Sequence, residues 1–257
     1  MKTPMFSLLF SLVLTSPAFA QSAYIISGFD DVLRQAENTG LVKAAIKIFE
    51  KDHGFTGMSV LYSEISKNER DPHFSLVSGI ATWFENRVDS LLTREQFPSR
   101  RLYLRNWVTQ MNLEKFKIDN VATIIDDHPG RKFIVIFDNS DASLTLADQL
   151  MNKFPAQILE VYLHQIIDKK IPSRAKAYHT AFDIAVNEYK NGRLDAGSVK
   201  NVADSILKEN RLEALIPAYA VCPPNKTSTD FELPQEIEML RGQVESHLAT
   251  LCTLRKQ

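Results

Sequence analysis

This chain of 257 residues has few glycines, few cysteines and no excess of positive charge. It has nine glycines and neither a GxxxxGKS/T nor a GxGxxG motif, so it lacks the glycine-rich loops that hold nucleotide phosphates. Two cysteines are too few for a disulfide scaffold or a cysteine-based zinc site. Lysines and arginines number 30 against 31 acidic residues. Without a basic excess or stripe, we expect no nucleic-acid partner.

What is present is the composition of an ordinary folded protein. Hydrophobic residues make up 44% of the chain and charged residues 24%. This balance excludes a disordered tail and a collagen-like repeat. The length is enough for one large domain or two modest ones.

The first 20 residues have the pattern of a secretory signal peptide. Lys2 supplies a positive charge, an apolar run covers residues 6–14, and Ala18-Phe19-Ala20 matches a cleavage site. The alternative is an N-terminal membrane anchor, although the run is shorter than the roughly 20 residues that span a bilayer. We therefore expect an exported protein, periplasmic or secreted, with no transmembrane segment after signal cleavage.

Between residues 21 and 172, short apolar runs alternate with segments of helical periodicity. The apolar runs predict strands at residues 24–26, 74–77, 102–104, 133–137 and 158–163. The helical segments lie at residues 41–50, 57–66, 83–92, 117–127 and 144–154. Because strands that alternate with helices form βαβ units, we predict an α/β fold with a parallel sheet flanked by helices. Trp83 and Trp107 are expected in its core.

Residues 173–257 show a different pattern, which predicts a C-terminal helical extension without strands. Helical segments lie at residues 177–189, 198–207 and 234–254. Both cysteines, Cys222 and Cys252, fall in this extension. Because export permits disulfides, we predict that these two residues pair; the alternative is two buried free thiols.

Polar side chains follow several of the predicted strands. Asp30 and Asp31 follow the first strand, Ser78 follows the second, and Asp138 follows the strand at residues 133–137. Ligands of parallel sheets bind beyond the carboxyl ends of the strands, so neighbouring strands would bring these groups into one crevice. Each residue also has an ordinary structural interpretation, because Asp and Ser favour turns and helix N-caps.

An ordered series of short segments runs through roughly residues 24–168. It comprises Ile26-Ser27-Gly28-Phe29-Asp30-Asp31, Gly57-Met58, Leu61-Tyr62, Val77-Ser78, Phe97-Pro98, Leu104-Arg105-Asn106-Trp107, Lys117, Pro129-Gly130-Arg131-Lys132-Phe133, Asp138, Phe154-Pro155 and Val161-Tyr162. This series resembles the catalytic domain of App-type phosphatidate phosphatases, which belong to the haloacid-dehalogenase superfamily. The resemblance implies a haloacid-dehalogenase-like domain over residues 21–172, after the signal peptide at 1–20 and before the extension at 173–257.

The resemblance also implies a role for several residues. In that family the first strand ends in D-x-D-D-T, whose first Asp is the phosphoryl-accepting nucleophile and whose second Asp is the general acid/base. Carried over by position, Asp30 is the acid/base, while Ser78 and Lys117 bind the phosphoryl group, whose charge Lys117 also neutralises during catalysis. Asp138 and Asp30, with Asp141 as a substitute, are the candidate ligands of Mg²⁺. The alternative for Lys117 is a solvated surface lysine.

Four positions depart from the family pattern. Gly28 stands at the nucleophile position, Val32 replaces the motif Thr, Phe137 replaces a Gly, and Ser143 stands where a second acidic residue is expected. Covalent phosphoryl transfer needs an oxygen nucleophile. We therefore predict a protein that binds a phosphorylated small molecule, a phospholipid or a protein partner with weak or no turnover. The alternative is an active magnesium-dependent phosphatase on phosphomonoesters such as phosphatidate.

Overall fold

A parallel sheet forms the centre of the computed structural model, which describes residues 23–35, 53–220, 222–223 and 232–255. Its strands are β1 (Tyr24–Ser27), β2 (Phe74–Ala81), β3 (Arg100–Arg105), β4 (Phe133–Asp138), β5 (Ile158–His164) and β6 (Lys176–Tyr178). The six strands lie in the order β3-β2-β1-β4-β5-β6, and every neighbouring pair is parallel. The predicted α/β fold is confirmed, since each of the five predicted strands lies within β1 to β5.

The helices of the described residues fall between and after these strands. They are α1 (Met58–Ser66), α2 (Glu85–Arg94), α3 (Leu113–Asp126), α4 (Asp141–Lys153), α5 (Ala181–Lys190), α6 (Ala196–Leu207) and α7 (Gln235–Arg255). The predicted helical segments from residue 57 onward each overlap one of them. The predicted signal peptide at residues 1–20 and the predicted helix at 41–50 lie outside the described residues.

Helices cover the sheet on both faces, which explains why β4 is apolar along its length. Val135 and Phe137 pack on one face with buried residues of α3 and α4. Ile134 and Ile136 pack on the other face with buried residues of α1, α5, α6 and α7. Side chains alternate along a strand, so a strand covered twice must be apolar at every position.

The C-terminal part of the chain contributes a strand as well as helices. β6 pairs in parallel with β5, so the expectation that residues 173–257 contain no strand is wrong. Three residues are too few to establish an alternating pattern, and Lys176 and Ala177 carry no strong strand preference. Tyr178 and Phe182 belong to the same buried cluster as Ile134, and the core is therefore continuous across residue 172.

The predicted disulfide between Cys222 and Cys252 is confirmed, with the two Cα atoms 6.2 Å apart. It ties the segment after α6 to the last turns of α7. No helix in the described part of the chain has the length and apolar character needed to cross a membrane.

Trp83 lies outside the core, and its predicted burial is wrong. It occupies a single 3₁₀ turn, Thr82–Phe84, directly after β2, and 61% of its surface is exposed. Trp107 follows β3 and is partly buried. Both residues come after the carboxyl ends of their strands, where the covering helices no longer shield them.

Candidate functional site

The strand order creates a crevice at the carboxyl ends of β1 and β4. The strand that follows β1 in the chain, β2, lies on one side of β1, whereas β4 lies on the other side. The strand order thus reverses its direction at β1, and parallel sheets bind ligands at such a point. Gly28 directly follows β1, and its backbone N–H donates to the Ile136 carbonyl over 2.8 Å. Asp138 is the last residue of β4. The nucleophile position and the predicted metal ligand therefore lie on neighbouring strand ends.

Asp138 is held in a buried polar cluster with Lys117 of α3 and Ser143 of α4. The Lys117 ammonium lies 3.7 Å from Asp138 Oδ2 and donates to Ser143 Oγ over 3.1 Å. Ser143 Oγ in turn donates to Asp138 Oδ1 over 3.1 Å, and the backbone N–H of Ser140 donates to the same oxygen over 2.7 Å. Both charged side chains are about nine-tenths buried. The predicted phosphate-binding lysine is thus the ion-pair partner of the predicted metal ligand.

The cluster keeps Asp138 ionised. Burial by itself would raise the pKa of Asp138, but the nearby Lys117 charge and the hydrogen bonds from Ser140 and Ser143 outweigh it and hold the pKa below its ordinary value. The Lys117 ammonium also lies 5.3 Å from the centre of the Phe137 ring. The cation therefore contacts a carboxylate, a hydroxyl and an aromatic face at once.

Asp30, the predicted general acid/base, is engaged by an arginine of its own turn. Arg34 donates from Nε and Nη2 to Asp30 Oδ1 over 2.9 and 2.7 Å. The Arg34 side chain is 7% exposed, whereas Asp30 is 36% exposed. The carboxylate is therefore oriented by a fixed cation on the protein side of the turn.

Asp31 shapes the same turn through an unusual backbone conformation. Its φ of 57° is in the left-handed region, which Asp tolerates better than most residues. Its carboxylate accepts a hydrogen bond from the Tyr219 hydroxyl, and its carbonyl lies 2.6 Å from His164 Nδ1. Burial lowers the pKa of His164, so this ring is neutral at pH 7 and serves to hold the turn.

The other two predicted site residues have local structural partners. Ser78 is buried in β2, and its Oγ accepts a hydrogen bond from the Ile80 N–H over 3.2 Å, where the pairing with β3 shifts register. Asp141 begins α4 with its side chain 83% exposed and pairs with Lys169. Asp141 thus points to solvent and contributes nothing to the buried cluster around Asp138.

These carboxylates do not assemble into a metal site in the part of the chain that the structure describes. Among those residues, no group of three or more His, Cys, Asp or Glu side chains is arranged to hold a metal ion. Mg²⁺ prefers near-octahedral oxygen coordination. Here Asp30, Asp138 and Asp141 each contact a different basic side chain. The residues present therefore do not fit a bound Mg²⁺.

The nucleophile position is enclosed by apolar side chains. A Cβ atom placed on Gly28 would lie 3.0 Å from Cδ1 of Phe137 and 3.1 Å from Cγ2 of Val32. Gly28 itself is not in the left-handed region, so its backbone conformation is open to other residues. Two of the other three departures from the family pattern, Val32 and Phe137, therefore flank the first, Gly28. These two side chains fill the space beside Gly28 where the nucleophile would stand.

Sequence reasoning missed the residues that brace the first turn. Arg34 follows Asp30 by four positions, a spacing that often pairs opposite charges, so a local signal for this contact existed. Tyr219 and His164 reach Asp31 from 188 and 133 residues away in the chain. No local pattern marks contacts at such separations.

The fold and the site together define a doubly wound parallel α/β protein with a charged cluster at its central crevice. A family model, phosphatidate phosphatase APP1, catalytic domain, matches residues 23–165, more than half of the chain. The chain belongs to this family, and the resemblance found in the sequence is confirmed. No curated protein and no solved structure matches the chain.

Proposed function

We propose that this protein is an exported member of the phosphatidate phosphatase family that binds a phosphorylated ligand with little or no turnover. One observation carries the proposal. The position of the nucleophile is Gly28, and the Phe137 ring and a Val32 methyl group close the space beside it at 3.0 and 3.1 Å. With no side-chain oxygen there, covalent phosphoryl transfer has no acceptor.

The charged groups beside this position form ion pairs with one another. An efficient phosphoryl-transfer site needs cations and metal ions aimed at the transferred group. Lys117 instead neutralises Asp138, and Arg34 neutralises Asp30. Metal-assisted attack by water would also need ligands that are not gathered among the described residues. These contacts support binding without efficient catalysis.

The ligand we propose carries a phosphomonoester, and a phospholipid of the phosphatidate type is its most natural form. Membership of a phosphatidate phosphatase family supports this class of ligand. The crevice at the ends of β1 and β4 is the binding place that the strand order favours. The Lys117 ammonium has three N–H donors, and its contacts with Asp138 and Ser143 use two of them, so one would be available for a phosphate oxygen.

Export is supported by two independent features. Residues 1–20 have the signal-peptide pattern, and Cys222 and Cys252 form a disulfide, a bond typical of oxidising compartments. We place the mature protein in the periplasm or outside the cell.

An active magnesium-dependent phosphatase is the second candidate, and family membership is the observation that favours it. In such an enzyme, water would attack the phosphate directly near Asp30. This candidate requires carboxylates free to bind metal, whereas Asp30 and Asp138 both contact basic side chains.

Thermal unfolding with phosphorylated probes tests the binding proposal. We would add inorganic phosphate, glycerol 3-phosphate or a short-chain phosphatidate, each with and without Mg²⁺. A probe at 100 times its Kd adds about 2.7 kcal/mol to the free energy of unfolding. We expect at least one probe to do so without Mg²⁺, and Ser78→Ala to weaken the effect.

Ser90→Ala is the matched control, because Ser90 is exposed on α2 and its hydroxyl donates to Asn86 of the same helix. This variant should respond to the probes as wild type does. Stabilisation by none of the three probes would refute ligand binding at this site. Stabilisation that strictly requires Mg²⁺ would favour the active phosphatase.

A further inference from the structure

Two loops beside the crevice expose large apolar side chains. Trp83 is 61% exposed after β2, while Val108 and Met111 are 80% and 82% exposed in the loop after β3. We call these three residues, with Trp107, the apolar patch. All four follow the carboxyl ends of parallel strands, so the patch lies at the same edge of the sheet as Gly28 and Asp138. Exposed apolar side chains that cluster on a protein surface mark interaction sites.

The loop that carries Val108 and Met111 is built to hold them outward. The Asn106 side chain accepts hydrogen bonds from the N–H groups of Val108 and Thr109 over 3.0 and 3.3 Å. Gln110 and Asn106 also exchange two hydrogen bonds, each of 2.8 Å. The loop therefore satisfies four of its backbone N–H groups by itself. Residues 106–112 carry no charged side chain, so this loop is suited to a water-poor environment.

The two indole rings join the loops into one surface. The Trp107 Nε1–H donates to the Gly79 carbonyl over 2.8 Å, which fixes that ring against β2. The Trp83 ring meets it edge to face with ring centres 5.4 Å apart. The Trp107 ring therefore supports the Trp83 ring, most of whose surface faces solvent.

Arg105 places an incompletely compensated positive charge next to this surface. Its guanidinium lies 5.6 Å from the centre of the Trp107 ring, and its Nε is buried without a hydrogen-bond partner. Burial lowers the pKa of Arg105, as expected where no anion offsets the lost hydration. A second arginine, Arg87, lies over the Phe84 ring. An anion at this edge would offset part of the charge of the guanidinium.

We propose that the apolar patch docks on the surface of a phospholipid bilayer, with Arg105 contacting a headgroup phosphate. Tryptophan favours the membrane–water interface, and arginine extends its charge toward headgroups while its stem stays apolar. Glu85 and Glu114 lie in the first turns of the helices that follow the two loops and offset part of the positive charge. Insertion of the patch therefore supplies most of the affinity, and headgroup charge adds to it.

Docking in this way would turn the crevice toward the membrane. The patch and the crevice share the edge formed by the strand ends, so a bilayer against the patch lies next to Gly28 and Asp138. Docking itself does not rest on the proposed phosphate binding, because it requires the two loops and Arg105 alone.

Vesicle co-sedimentation tests the docking proposal. The probes are vesicles of phosphatidylcholine alone and of phosphatidylcholine with 30 mol% phosphatidylglycerol, neither of which carries a phosphomonoester. We expect wild type to bind both and to prefer the anionic vesicles. Removing two inserted apolar side chains in Val108→Ser/Met111→Ser should weaken binding at least about tenfold. Arg105→Gln should reduce the preference for phosphatidylglycerol.

Met239→Ser/Leu254→Ser is the matched control, because these residues of α7 are 57% and 60% exposed outside the patch. Circular dichroism verifies that each variant is folded. Unchanged binding by this control, with loss in the patch variant, supports the proposal. Equal loss in both variants, or no binding of wild type to either vesicle, overturns it. Neither result depends on a phosphomonoester ligand, so failure of docking and failure of the proposed function are distinguishable.

Discussion

Lys117→Met should destabilise the protein by about 3–5 kcal/mol at pH 7, because it leaves the buried Asp138 carboxylate without its cation. The methionine fills much of the same volume, so the loss reports the charge rather than a cavity. Urea unfolding measures the change in the free energy of unfolding. The double variant Lys117→Met/Asp138→Asn should recover a large part of the loss, since it removes the uncompensated charge.

The pH dependence of the free energy of unfolding provides a second measurement of the Lys117–Asp138 pair. The folded-state pKa of Asp138 is lowered, so the pair contributes stability above the unfolded pKa, and that contribution is lost as pH falls through the folded value. The difference between wild type and Lys117→Met should therefore shrink toward acid.

Lys115→Met provides the matched control for this prediction, because Lys115 lies on the same helix and pairs with Asp119 over 2.8 Å with both groups exposed. An exposed pair of this kind contributes at most about 1 kcal/mol. If Lys117→Met cost no more than Lys115→Met, the buried ion pair would not be a major element of the site.

Removal of the disulfide should have the second largest effect. The bond joins residues 30 positions apart, and the chain-entropy model gives a loop of this length about 3–4 kcal/mol. Cys222→Ser/Cys252→Ser should lose this amount in urea unfolding. Reductant should lower the stability of wild type to a similar value and leave the variant unchanged. If the stability of Cys222→Ser/Cys252→Ser equalled that of oxidised wild type, the disulfide would be dispensable.

The sequence predicted the strands well because their cause is local. The predicted strands are short, mostly apolar runs, and a central strand buried on both faces, such as β4, must have this composition. β6 was missed since Lys176–Tyr178 is short and lies at the sheet edge, where pairing with β5 rather than composition makes it a strand. Whether these three residues form a strand therefore depends on the adjacent strand β5.

The sequence predicted where in the fold the site lies, but it did not predict which side chains of the site contact each other. Strand-end position predicted that Asp30 and Asp138 line one crevice, and the family spacing of Lys117 predicted that this lysine faces the same crevice. Neither could show that Lys117 and Asp138 pair with each other, because the pairing depends on the angle at which α3 crosses the sheet. The approach of Phe137 to Gly28 likewise joins the ends of two neighbouring strands, β1 and β4.

The apolar side chains beside Gly28 limit the repair of the site by a single substitution. In Gly28→Asp, the new side chain would meet Phe137 and Val32 at once. The residues that the structure describes would also offer its carboxylate no gathered set of metal ligands. We therefore expect no restored turnover from Gly28→Asp alone, and any gain should require Phe137→Gly as well.

The most direct test of the central claim is the hydrolysis rate of an aryl phosphate by folded wild-type protein with saturating Mg²⁺. Enzymes typically have a kcat of about 10 per second, and loss of a nucleophile removes several orders of magnitude. A site with glycine at the nucleophile position and its cations already paired predicts a kcat at least about 10³-fold below that value. A kcat within the ordinary range, unchanged in Gly28→Asp, would contradict the account and place the chemistry in water attack near Asp30 and Asp138.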